Sequence, residues 1–266
     1  MEDGLASVSL WRPYLFAMTI GMARMLGVIS ILPIFSYLSL SGGFRFAVAA
    51  AISAPVIYGL PGPVEAAQID TLWLMALVMK EVLIGIGIGM LLALPFWAIA
   101  LAGGAIDFQR MAATSITSMP DGTETTVLGL FLGLVYLAYI WASGAHLLAI
   151  GVVHHSYGLW PPLTFFPLET LSIKPFSDFM QELFLLGLLL AAPIIFVLLL
   201  SDLAVAALAR FAPNMNAMLL AMQVKSLIVG IMLFLYVGVM FTAFADKLSY
   251  FFDVKILLTP FGFTQE

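Results

Sequence analysis

Along this chain the apolar positions come in long unbroken runs rather than in alternation. Six segments stand out, at Tyr14 to Leu38, Phe44 to Leu60, Leu72 to Leu101, Val127 to Val153, Leu183 to Ala209 and Ala217 to Ala243. A helix needs about 20 apolar residues to cross a bilayer, so the second is short and the third and fifth are long. Continuous runs predict helices, because membrane strands alternate instead. The expected fold class is all-α, a polytopic membrane-type protein built on these six hydrophobic helices. Pro33, Pro55, Pro95 and Pro193 fall inside four of the runs. Each removes a backbone hydrogen bond and kinks its helix, so these helices are expected to lie against partners.

The connector from Gly151 to Glu182 is long and mixed, with Trp160, Phe165, Phe166 and four prolines. That composition predicts an interfacial lid rather than a helix. Ser177 or Asp178 can cap the next helix, with Gln181 three residues after Asp178 as in a capping box. Gly85/Gly89 and Gly129/Gly133 have the spacing that permits close helix contact.

Composition sharpens the class. The chain is 63% hydrophobic and 9% charged, with mean hydropathy +1.11, whereas soluble domains carry roughly 25% charged residues. The net charge of −5 is thinly spread with no basic tract, which argues against nucleic-acid binding. With no cysteine there is neither a disulfide framework nor a thiolate metal site. The start, MEDGLASVSLW, is acidic where a signal peptide is basic, and reads as uncleaved. Charge bias does not orient the helices: Arg12, Lys174, Lys247 and Lys255 fall on one side, and Arg45, Arg110 and Arg210 on the other.

The chemistry of an enzyme is hard to find. His154 and His155 are adjacent, so on a helix they diverge by about 100° and share a metal poorly. With His146 they read as polar interfacial residues. Ser143 lacks the surroundings of a nucleophile, and no metal motif is present.

Two charged constellations remain. One runs from Lys80-Glu81 to Asp107, Gln109 and Arg110; the other is SDLAVAALARFAPNMNAMLLAMQVKS, residues 201–226. Charges in apolar segments face protein or water, so each is either structural ion pairing or a relay. In the second, Pro213 disfavours helix at Ala212, and Asn214 or Asn216 can cap a new helix. The last two runs then form an antiparallel hairpin turning near Pro213. Asp202 lies 11 residues before Pro213 and Lys225 lies 12 after it, so the two come level and an Asp202–Lys225 ion pair is expected. Arg210 falls in the last helical turn, where a cation suits the macrodipole.

These residues also carry a resemblance. The blocks Ala192-Pro193, Ser201-Asp202-Leu203, Ala209-Arg210-Phe211-Ala212-Pro213-Asn214-Met215-Asn216 and Gln223-Val224-Lys225-Ser226 resemble the type III secretion export-gate subunit family. Its members are called SctT or SpaR in injectisomes and FliR in flagella. Lys80 to Gly85, Leu94 to Trp97, Gly103 to Arg110 and Leu159 to Pro162 match in the same order, and the injectisome branch is the nearer. The chain departs locally: a glycine commonly follows the Gln-Arg, where Met111 stands here, and an acid or amide often occupies the place of Gly104.

The resemblance implies a non-enzymatic core subunit, without cofactor, of an export gate in the bacterial inner membrane. It would be a single copy among R and S export-gate subunits, near the U switch subunit and the large export-gate ring subunit. The assembly would pass unfolded secreted proteins through an entrance pore and project to the periplasmic side. Residues 1–176 would resemble the R subunit and 177–250 the S subunit, with 251–266 as a tail. The family also places a pore-closing plug after Arg110, here 111–126. Its tip is Thr114, Ser115, Ile116, Thr117, Ser118, Met119, Pro120, Asp121 and Gly122, anchored at Asp107, Gln109 and Arg110. The small polar residues, Pro120 and Gly122 predict a loop, which without the resemblance is an ordinary connector. The rival reading is a small-solute or ion transporter using Asp202, Arg210 and Lys225.

Overall fold

A computed structural model describes residues 2–38, 40–60, 62, 64, 70–111, 116–118, 124–164, 174–211 and 216–251. Among them are eight helices and one short antiparallel ribbon. In chain order these are α1 (Glu2–Ile31), α2 (Ile34–Tyr37), α3 (Gly42–Gly59), α4 (Thr71–Gln109), β1 (Ile116–Ser118), β2 (Glu124–Thr126), α5 (Val127–Ser143), α6 (Ala145–Leu159), α7 (Lys174–Phe211) and α8 (Ala217–Phe251). Five helices are long and apolar enough to cross a membrane, or six if α5 and α6 are one broken span. The chain is a polytopic all-α membrane-type protein.

The helices overrun the apolar runs that announce them. α4 has 39 residues and α7 has 38, which at about 1.5 Å per residue is nearly twice the ~30 Å hydrocarbon thickness. Pro55, Pro95 and Pro193 are accommodated inside α3, α4 and α7, whereas at Pro33 the helix ends and a short one restarts.

Four expectations need correction. The run Val127–Val153 is two helices, because Gly144 takes a left-handed φ of 76° between them; only a residue without Cβ adopts this freely. The connector expected over 151–182 is shorter, since α6 continues to Leu159 and α7 has begun by Lys174. Pro175 sits in that first turn, where its missing N–H has no helical partner to lose. Ser177 and Asp178 therefore lie inside the helix rather than capping it, and Trp160 is buried instead of interfacial. Phe165 and Phe166 lie outside the described residues.

The chain divides into two compact units, with boundaries at Ala93/Leu94 beside Pro95, at Ser143/Gly144 and at Lys174/Pro175. The first contains α1–α3, the start of α4, and α6. Ala17, Ile20, Leu60, Val64 and Leu77 form one of its cores. Gly85 and Gly89 of α4 abut α1 at Arg24 and Val28, so their spacing is used for close packing. The second contains the end of α4, the ribbon, α5, and nearly all of α7 and α8. Ala102, Ile106, Leu128, Ala191, Ile194, Leu198 and Val229 form its core. Phe96 meets Tyr136 edge-on at 4.7 Å between ring centres.

Candidate functional site

The second unit assembles the residues singled out at 202 and 225. Lys225 Nζ lies 2.6 Å from Asp202 Oδ1 and donates to the Gln109 carbonyl at 2.9 Å. Gln109 Nε2 donates to Asp202 Oδ2 at 3.2 Å. Gln109 is the last residue of α4, so the ammonium sits on an orphan carbonyl at a helix C-terminus, where a cation is favoured. Three helices are thus tied at one point. Lys225 is 4% exposed and Asp202 39%, so the carboxylate keeps an open flank. Arg210 is exposed in the last turn of α7. Eight residues from Asp202, it is displaced about 12 Å along the helix. Asn216 Oδ1 accepts the Leu219 N–H at 3.3 Å, capping α8. Pro213 and Asn214 lie outside the described residues.

Asp107 makes a second clamp. Its Oδ1 takes Arg110 Nε at 2.6 Å, and its Oδ2 accepts the Leu128 N–H at 2.8 Å. Thr126 Oγ1 accepts the Gly129 N–H at 3.1 Å. The first turn of α5 therefore receives one carboxylate and one hydroxyl for its unpaired donors. Between these clamps, Ile116, Thr117 and Ser118 pair with Thr126, Thr125 and Glu124. β-branched residues favour this ribbon, which is more ordered than the loop expected from small polar composition. Thr114, Ser115, Met119, Pro120, Asp121 and Gly122 lie outside the described residues.

The first unit holds a cluster that sequence reasoning only half identified. Arg24, Glu81 and Lys80 are buried in mid-helix. Arg24 grips Glu81 through Nε at 2.7 Å and Nη2 at 3.1 Å. It also donates to Ser156 Oγ at 2.9 Å and the Trp160 carbonyl at 2.8 Å, and lies over the Tyr157 ring, 4.0 Å from its centre. Lys80 Nζ is 2.7 Å from Glu81 Oε1 and donates to the carbonyls of Pro161, Pro162 and Thr164 at 3.2, 2.9 and 2.9 Å. Two cations face one carboxylate, and the carbonyl dipoles of the Trp-Pro-Pro turn supply the remaining negative potential. Prolines suit that turn because they offer carbonyls without competing N–H donors. A lone arginine within the first apolar run was the signal for Arg24.

His154 is half-buried, with Nε2 2.9 Å from the Ile52 carbonyl and Nδ1 3.0 Å from that of Ile150, so it braces α3 to α6; His155 is exposed. Among the described residues no group of His, Asp or Glu is arranged to hold a metal.

A multi-pass helical membrane protein whose ionisable side chains close into clamps is the class this geometry defines. Residues 15–250 match the family described as bacterial export proteins, family 1, and the chain belongs to it. It is 30% identical to the Yop proteins translocation protein T of Yersinia pestis, over 94% of this chain and 96% of that one. With the surface presentation of antigens protein SpaR of Salmonella typhimurium it shares 32% identity over 82% and 81% of the two chains. With the flagellar biosynthetic protein FliR of Bacillus subtilis it shares 25% over 66% and 69%. The chain is thus of the SctT/SpaR/FliR group of type III secretion export proteins, nearer the injectisome relatives than the flagellar one. The group consists of secretion-apparatus components and is not a known enzyme family.

Proposed function

We propose that this chain is a core export-gate subunit of a type III secretion apparatus in the bacterial inner membrane. It forms part of the entrance pore that passes unfolded proteins, it works without catalysis of its own, and it acts as a single copy beside R and S subunits, with the U switch subunit and the large ring subunit nearby. The family match over residues 15–250 carries this reading. Helices α4 and α7, long enough to extend well beyond a bilayer, support an assembly that rises out of the membrane plane. The α7–α8 hairpin is the part that would resemble the S subunit. A transporter site would need Asp202, Arg210 and Lys225 together, and Arg210 is separated from the other two along α7.

The segment 111–126 is the proposed plug. Its position supports this: it leaves α4 at the Asp107–Arg110 clamp and re-enters α5 through Thr126, so its two ends are held at one place. A peptide tied at its base can be displaced at its tip without unfolding the helices. Deleting Ser115 to Gly122 is expected to leave assembly intact and make cells expressing the complex conduct small ions. Lost assembly with no conductance would make this segment a connector. Native mass spectrometry of the gently solubilised complex tests the subunit reading itself: one copy with several smaller membrane proteins supports it, and a homodimer opposes it.

A further inference from the structure

We propose that His154 is a pH-sensitive brace, fixing α3 to α6 when its ring is charged and loosening its hold when the ring is neutral. Both ring nitrogens face backbone carbonyl oxygens, Nε2 that of Ile52 at 2.9 Å and Nδ1 that of Ile150 at 3.0 Å. A carbonyl oxygen only accepts, and neutral imidazole has one N–H and one bare lone pair. The neutral ring therefore makes one of the two bonds and sets its lone pair against the other oxygen. The imidazolium donates at both, and charge-assisted bonds are about twice as strong as neutral ones.

The bond to α3 falls where that helix is least able to do without it. Only Ala49 and Ser53 of its 18 residues are buried. Pro55 offers no N–H to the Ala51 carbonyl, and His154 meets the next carbonyl, that of Ile52, beside the place where the helix lacks a donor. Ile57 packs closely on Gly21 of α1, and Tyr157, one turn on from His154, donates to the Gly21 carbonyl at 2.8 Å. A helix with so little buried surface lies at the low-stability end of a fold, where one hydrogen bond shifts the balance between docked and released. Ile52, Ile150 and His154 all belong to the first unit, so the brace acts within it.

The other charged groups on the surrounding elements have their own partners. Arg24 and Lys80 are paired with Glu81, and Arg45 at the start of α3 donates to the Leu40 and Phe35 carbonyls. Tyr58 on α3 and His155 on α6 are exposed, and His155 diverges from His154 by about 100° round the helix. His154 itself is half-buried, open enough to exchange a proton with its surroundings. The docked state binds a proton that the released state gives up. Docking of α3 therefore strengthens as pH falls and weakens as pH rises through the range in which histidine changes charge, about pH 5 to 8.

The test follows hydrogen exchange of the α3 backbone amides in the full chain, purified with whatever apparatus subunits accompany it. Rates are corrected for the pH dependence of unstructured amides. Between about pH 5.5 and about pH 8, wild-type protection of α3 is expected to fall roughly three- to tenfold, the worth of one hydrogen bond. His154→Gln, whose amide carries the same hydrogens at every pH, should give a flat profile. The double variant His146→Gln with His155→Gln should keep the wild-type slope. Nitrogen NMR of the wild-type ring gives a reading that needs no variant: at the acid end both ring nitrogens carry hydrogen, and loss of one coincides with the loss of α3 protection. A ring already neutral at the acid end would overturn the proposal, as would α3 protection that does not change with pH. So would a slope that survives in His154→Gln or disappears in the double variant.

Discussion

The two charged clusters each set a lysine against a carboxylate and end in different states. Around Arg24, Glu81 and Lys80 the groups are inside the first unit, Arg24 and Glu81 have no exposure, and the remaining donors are directed at backbone carbonyls and the Ser156 hydroxyl. Around Asp202 and Lys225 the ammonium is enclosed but the carboxylate is 39% exposed. A closed cluster has no capacity for a new partner, so it acts on the fold of its own unit. A half-open one is complete enough to hold three helices and still accessible from outside. Desolvation makes the difference energetic as well as geometric: loss of one partner strands a fully buried charge in the first case and a partly solvated one in the second.

The largest expected effect follows from the closed cluster. Arg24→Ala should cost about 3–5 kcal/mol, because Glu81 is left facing Lys80 alone in the interior. Arg24→Lys should recover only a minority of that, since an ammonium cannot reproduce the fork that binds Glu81, Ser156 and Trp160 together. Thermal unfolding in detergent and membrane abundance measure both. If Arg24→Ala and Asp202→Ala cost the same, the contrast between the clusters is wrong.

Asp202→Ala is expected to cost less, about 1–3 kcal/mol, because Lys225 keeps the Gln109 carbonyl and the lost carboxylate was partly exposed. The exchange Asp202→Lys with Lys225→Asp should recover part of the loss of assembly. A single-variant loss with no recovery in the exchange would mean that the helices, rather than the pair, recognise orientation here.

The smallest effect sits at the start of the proposed plug. Met111 has φ of 63°, a left-handed conformation that costs a residue with Cβ about 1–2 kcal/mol. Met111→Gly removes that strain, and the greater freedom of glycine in the unfolded chain offsets part of the gain. A net stabilisation of about 0.5–1 kcal/mol is expected, seen as a rise in the unfolding midpoint of about 2 °C. Stabilisation with unchanged ion conductance would make the strain incidental to gating. The resembling family commonly places glycine at this position, and the backbone conformation supplies the reason.

Much of the fold was legible in the chain because hydrocarbon imposes one dominant rule. Backbone groups in lipid must be satisfied within the segment, so each long apolar run had to be helical. The near-equal spacing of Asp202 and Lys225 about Pro213 was also readable, since helical rise turns residue number into height. Two features were not. Apolar composition alone could not show the break at Gly144, which depends on one residue's backbone angle. Nor could it end the connector: helix propensity at Lys174–Asp178 is weak, and the start of α7 is decided by a proline placed in its first turn.

The sequence by itself determined that this is a multi-pass helical membrane protein, which family it belongs to, and which charges had to find company. Only the tertiary structure decided the company. Arg24 and Glu81 are 57 positions apart and Arg24 and Trp160 are 136 apart; no period or spacing links them. Gln109 joins the Asp202–Lys225 clamp through a carbonyl that is free only because α4 ends there. Hydrophobic burial is a property of each residue and leaves its pattern along the chain. Satisfaction of a buried charge is a property of a place, and the fold must exist before the place does.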